Sequence, residues 1–99
     1  MTASTKSLRF SSVWDAIEDS EEVAASLKLR AELANTVIEE IRRRKLTQAR
    51  AAHLCGLTQP RISDLMRGRL DLFSLEALID IAAHLGLRTV ITLRRTKAA

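Results

Sequence analysis

Gln48-Ala49-Arg50-Ala51-Ala52-His53-Leu54-Cys55-Gly56-Leu57-Thr58-Gln59-Pro60-Arg61-Ile62-Ser63-Asp64-Leu65-Met66-Arg67 decides how this chain folds. The stretch reads as two short helices meeting at one glycine. Helices that cross steeply approach closely, so the first must present small residues at the contact, and here it offers Ala51 and Ala52. A reversal within about three residues often requires a positive φ, which Gly56 supplies without strain. Ile62 and Leu65 fall three apart and share a side, with Leu57 just before them. Gln59, Arg61, Ser63 and Arg67 are left nearer the wet side. A near-repeat marks the boundaries: Leu46-Thr47-Gln48 recurs as Leu57-Thr58-Gln59, and each threonine is a good N-cap. Pro60 is tolerated only in a first turn, which sets a helix start near Thr58, and Gly68 stops that helix.

Two helices joined in this way form the helix-turn-helix pattern, whose second helix enters the major groove of DNA. The expectation is therefore a protein that reads double-stranded DNA. The plainer reading of the same residues is a helical hairpin with no nucleic-acid partner.

The charge distribution bears on that choice. The net charge of +4 over 99 residues hides an asymmetry. Residues 1–40 carry four basic and eight acidic side chains, residues 41–70 eight basic and one acidic, and residues 71–99 four basic and three acidic. Positive charge thus concentrates on and just before the two-helix unit, including Arg42-Arg43-Arg44-Lys45, as a phosphate-binding surface requires. An ordinary solvated face accounts equally well for that run taken alone. Aromatic residues are limited to Phe10, Trp14 and Phe73, which argues against stacking modes of single-strand binding. The length suits one domain. No run of apolar residues is long enough to span a membrane, Met1–Phe10 lacks the apolar core of a secretory signal, and Cys55 is the sole cysteine. Together these lead us to expect a cytoplasmic protein.

Working outward, residues 1–19 read as an N-terminal arm. Leu8 and Phe10 give a faint strand signal, and Val13, Trp14 and Ile17 an apolar anchor on one helical turn. Asp19 or Ser20 then caps a long helix to about Arg44, with Val23, Leu27, Ala31, Ala34, Ile38 and Ile41 as its apolar stripe. Ser74 caps a further helix through Leu85, with Leu75, Leu78, Ile79 and Ala82 on its buried face, ended by Gly86. Leu87 to Arg94 alternates and is rich in β-branched residues, which predicts a strand. A lone strand is not viable, so it must pair with Leu8–Ser11 or with the same strand of a second chain; symmetric pairing is favoured, because a two-fold dimer suits two half-sites on DNA. The expected architecture is all-α: a helical domain over 20–86 holding the helix-turn-helix at 48–67, with a strand and tail over 87–99 used in pairing or dimerisation.

These residues also carry a resemblance. Leu46-Thr47-Gln48-x-x-Ala51-Ala52, then Gly56-Leu57-Thr58-Gln59-Pro60-Arg61-Ile62-Ser63 and Gly68, resemble the xenobiotic-response-element (XRE) family of bacterial and phage regulators, and imply a lambda-repressor-like helical domain. Val13-Trp14-Asp15, Leu27-Lys28-Leu29-Arg30, Arg67-Gly68-Arg69 with Phe73-Ser74-Leu75, and the terminal strand resemble the HigA type of antitoxin. The resemblance covers about residues 12–94. It implies an autorepressing homodimer on an inverted-repeat operator that also neutralises a RelE-like ribosome-dependent nuclease.

Carried over, the resemblance gives Gln48 the role of bracing a phosphate and the recognition helix. Gln59 matches the glutamine that reads a base edge, typically adenine. Arg61 is expected to take guanine O6 and N7, and Ser63 a base or phosphate. Thr58 and the backbone N–H groups beside it would hold a phosphate, with Arg67 and Arg69 reaching the flanking backbone. Asp64 places a negative charge on the recognition helix, to be paired with Arg61 or Arg67 or kept off the DNA.

Other constellations are poor. His53, Cys55 and His84 lack helical ligand spacing and a fourth ligand. Ser63, Asp64 and His53 have no nucleophile elbow, and the three glycines form no phosphate loop. No enzyme, metal or cofactor is expected. The alternative function is a protein-binding module whose acidic N-terminal half grips a partner while the helix-turn-helix serves as scaffold.

Overall fold

The computed structural model describes residues 15–95. The predicted strand at Leu8–Ser11, the Val13-Trp14 anchor and the Lys97–Ala99 tail lie outside that range.

Four helices follow in order: α1 (Asp15–Arg43), α2 (Gln48–Cys55), α3 (Gln59–Met66) and α4 (Leu75–His84), with a 3-10 turn at Leu70–Leu72 before α4. No Gly or Pro interrupts residues 15–43, so α1 propagates unbroken, and neither Asp19 nor Ser20 starts a new helix there. At 1.5 Å per residue, α1 is about 43 Å long. The longest extent of the molecule is 44 Å, so α1 sets its length.

The core forms where the second half of α1 meets the other helices. Ala34, Val37, Ile38 and Ile41 of α1 are buried with Ala51, Ala52 and Cys55 of α2, Ile62 and Leu65 of α3, Phe73, and Leu78, Ile81, Ala82 and Leu85. Here α1 lies mainly along α4, and α2 packs on α3. The apolar stripe predicted for α1 continues further towards its N-terminus than its burial does. Val23 and Leu27 are 51% and 40% exposed, because that half of α1 runs past the ends of the shorter helices. Cys55 behaves as a small core residue: burial, with the charge of Asp80 a lesser cause, pushes its thiol pKa up and keeps it protonated.

Residues 87–95 do not form the predicted strand; among the described residues there is none. The Leu87 N–H bonds Ala82 O at 2.9 Å and Leu87 packs on the core, but Val90 and Leu93 are 75% and 90% exposed. Alternation alone cannot make a strand, because its backbone groups need a neighbouring ladder and no extended segment of residues 15–86 lies alongside.

Candidate nucleic-acid interface

Local chemistry sets the two-helix unit. The Thr47 hydroxyl oxygen accepts from the Arg50 N–H at 3.1 Å, and Thr58 accepts from the Arg61 N–H at 3.3 Å. Both are N-caps, and Pro60 sits in the first turn of α3, where its missing N–H costs nothing. Between the helices Gly56 is left-handed, at φ 67° and ψ 31°. The Leu57 N–H returns to Ala52 O at 2.9 Å, which satisfies an orphan carbonyl of α2. Ala51, Ile62 and Leu65 are fully buried, so the two helices are fixed against each other by close packing.

Gln48 and Gln59 are each the first residue of their helix, and both are exposed. Thr58 is exposed too; its oxygen is occupied as a cap, which leaves its hydroxyl hydrogen free to donate. Ser63 is half-buried. At about 100° per residue, Gln59 and Ser63 share one face of α3, which continues towards Arg67. Asp64 pairs with Arg67 at 2.7 Å, resolving the partner left open by the sequence. Beyond Gly68, exposed Arg69 lies 3.5 Å from Asp71.

Arg61 is placed differently from its neighbours. Two residues from Gln59, it stands about 200° away round the helix, close to the side of buried Leu65. Its guanidinium donates to Leu72 O at 2.7 Å and lies 4.0 Å from the centroid of the Phe73 ring.

Arg30, which the sequence reading gave no role of its own, and Arg44, which it counted in the basic run, prove structural. Arg30 of α1 donates through Nη1 to Leu70 O at 3.2 Å and to Phe73 O at 3.3 Å, and so ties α1 to the 3-10 turn. The signal was its register, since it falls four residues before Ala34 in the apolar stripe. Arg44 donates to Leu85 O at the C-terminal end of α4, and its Nε reaches Glu40 at 2.7 Å. Arg43 also grips Glu40, at 2.6 Å. These two guanidiniums, Arg43 first, lower the Glu40 pKa from the ordinary 4.5 to about 2. Part of the Arg42–Lys45 run is thus spent inside the fold.

The fold and this two-helix unit together define a helix-turn-helix protein. A family model described as a helix-turn-helix domain matches residues 16–94, nearly the whole described chain, and the chain belongs to that family. It is also similar to a solved structure named for the XRE family of transcriptional regulators. The identity is 31% and the TM-score 0.69, over 75% of this chain and 83% of that one. A search of curated proteins finds no match. The chain is therefore a DNA-binding helix-turn-helix protein of XRE-like fold, and among the described residues no helix is long and apolar enough to cross a membrane.

Proposed function

We propose that this DNA-binding regulator is a dimeric autorepressor, and the antitoxin of a pair with a RelE-like toxin. The observation that carries the DNA-reading role is the capped start of α3, where Thr58 and Gln59 stand exposed on a helix locked to α2 through Ala51 and Gly56. A helix held this way presents its first turn to a groove without further ordering. Gln59 reads a base edge and Ser63 a base or phosphate. Gln48 and Thr58 anchor phosphates, and Arg67 and Arg69 track the flanking backbone. Arg61 belongs to the same helix, with its guanidinium on Phe73.

Dimerisation is supported by the apolar residues left uncovered in one chain: Val90, Ile91 and Leu93 in the alternating segment, which a second copy can pair with to complete a ladder. Two copies on an inverted repeat follow from that symmetry. The antitoxin role rests on the HigA resemblance, and the exposed Val23 and Leu27 offer such a partner an apolar strip on α1. The role needs no catalysis, cofactor or metal, and its setting is the cytoplasm.

The test is fluorescence anisotropy at about 150 mM salt, with the duplex upstream of the chain's own gene against a shuffled duplex. Selective binding with two chains per site is expected. Gln59→Ala should weaken the specific duplex more than the shuffled one, whereas Arg69→Ala should weaken both alike. Equal, weak binding of both duplexes by the wild type would overturn sequence reading in favour of a protein-binding module. Capture of a small basic nuclease by the full chain would support the antitoxin role, and its failure with the gene-neighbour protein would remove it.

A further inference from the structure

We infer that Arg61 is a positioning residue for DNA recognition: it clamps α3 to the Leu70–Leu72 turn rather than reading a base. The inference rests on α3 being the helix that enters the groove.

Three observations carry it. First, register puts Arg61 about 200° from Gln59, away from the face expected to meet DNA. Second, its guanidinium already has two partners, Leu72 O at 2.7 Å and the Phe73 ring at 4.0 Å. Phe73 is 2% exposed, so the ring is a fixed platform within the core. A planar guanidinium that stacks and donates at once is poorly replaced by lysine. Third, the turn is held from its other side as well, because Arg30 of α1 donates to Leu70 O and Phe73 O. Two arginines from different helices therefore converge on the carbonyls of one short turn. Along the chain, the α2–α3 unit joins this turn through three residues, Arg67, Gly68 and Arg69. The clamp fixes the angle of α3 relative to α1 and α4. It also fixes the place from which Arg69 reaches a phosphate. Taking a guanine would require Arg61 to leave both partners and swing round the helix.

The test combines binding with a spectroscopic readout. In the full-length wild type, the Arg61 side-chain protons should be shifted upfield by the Phe73 ring, and should stay so when the upstream duplex is added to saturation. In Arg61→Met the stem still covers Phe73. At a temperature where circular dichroism shows this variant fully folded, its affinity for that duplex should fall about tenfold, a loss of 1.4 kcal/mol. Arg61→Lys should recover only part of the loss. Replacing each guanine of the duplex singly by 7-deazaguanine, which lacks the N7 acceptor, should leave the wild-type-to-variant ratio unchanged. Three results on DNA binding would overturn the inference: loss of the upfield shift on binding, one 7-deazaguanine that weakens the wild type but not the variant, or a folded Arg61→Met that binds like the wild type. Unselective binding by the wild type would instead sink the DNA-reading role itself, and an unshifted Arg61 in the free protein would sink the clamp whatever the DNA does.

Discussion

Gly56→Ala isolates the backbone cost of the turn between α2 and α3. Gly56 has φ 67°, and a Cβ built on it meets nothing within 4 Å. Overpacking therefore contributes nothing, and only the left-handed conformation resists a side chain. That conformation costs an L-residue about 1–2 kcal/mol. Alanine returns about 0.4–1 kcal/mol by restricting the unfolded chain. The net loss should be about 1 kcal/mol, which in a domain of this size lowers the melting temperature by roughly 4–8 °C. Asparagine, which tolerates this region, should lose less, and β-branched valine more. Thermal and urea unfolding of the three variants measure the series, with affinity for the upstream duplex taken on fully folded protein. That affinity should stay at the wild-type value in Gly56→Ala, because the angle between α2 and α3 is held by Ala51, Ile62 and Leu65. A destabilisation above about 3 kcal/mol would refute the reasoning, since backbone strain of this kind does not reach it. Loss of DNA binding by a fully folded Gly56→Ala would refute it too, by showing that the turn must be bare for contact with DNA.

The remaining expectations test neighbouring parts of the same argument. Lys45 is the one non-glycine residue with positive φ among the described residues, at 57°, so Lys45→Gly should raise stability by about 0.5–1 kcal/mol, seen as a higher urea midpoint; a lower midpoint would mean that the lysine side chain contributes more than its strain. Thr58→Ala should cost about 0.5–2 kcal/mol through the lost cap. Thr58→Asp should keep the cap and the stability yet weaken DNA binding by repelling phosphate, and unchanged binding would place Thr58 off the DNA. The lowered Glu40 pKa means that the folded state binds fewer protons than the unfolded one as acid is added. Its contribution to stability is present above pH 4.5 and is lost as pH falls towards about 2. Urea midpoints from pH 5 to 2 should therefore fall less steeply in Glu40→Gln than in the wild type, and equal slopes would show that the Arg43 and Arg44 contacts have no weight in solution.

The parts of this fold that were legible in the sequence are those set by neighbours in sequence. Thr47, Thr58 and Ser74 each cap a helix within three residues of themselves, and Gly56 and Gly86 turn the chain at the helix ends. Their signals survive without tertiary information. Legibility ends where a residue's role depends on what lies across the molecule. The periodicity of α1 marks a sticky face but not how far other helices extend along it, so Val23 and Leu27 read as core and are exposed. Alternation at 87–94 marks strand-forming residues but supplies no partner. Arg61 reads as a polar residue on a recognition helix, yet Leu72 and Phe73, eleven and twelve residues on, claim its side chain. Asp64 is the reverse case: Arg67 is three residues away on the same helical surface, and the pair was within reach of a local argument.

The charge run shows the same limit in a form that matters for function. Residues 41–70 carry eight basic side chains, and a tally treats them as one attractive surface. The structure divides them by what already holds them. Arg44 and Arg61 donate to backbone carbonyls of Leu85 and Leu72, and moving either towards DNA would undo a contact the fold uses. Arg67 and Arg69 face carboxylates in exposed pairs, and such pairs are worth only about 0–1 kcal/mol. A phosphate in the right place can take either of these arginines from Asp64 or Asp71 at little cost. A phosphate in the wrong place meets the carboxylate as well as the cation. On the roles proposed for Arg67 and Arg69, acidic residues beside the recognition helix should therefore weaken random association more than correctly docked binding, and the one feature of α3 that looked unsuited to DNA would become a source of selectivity.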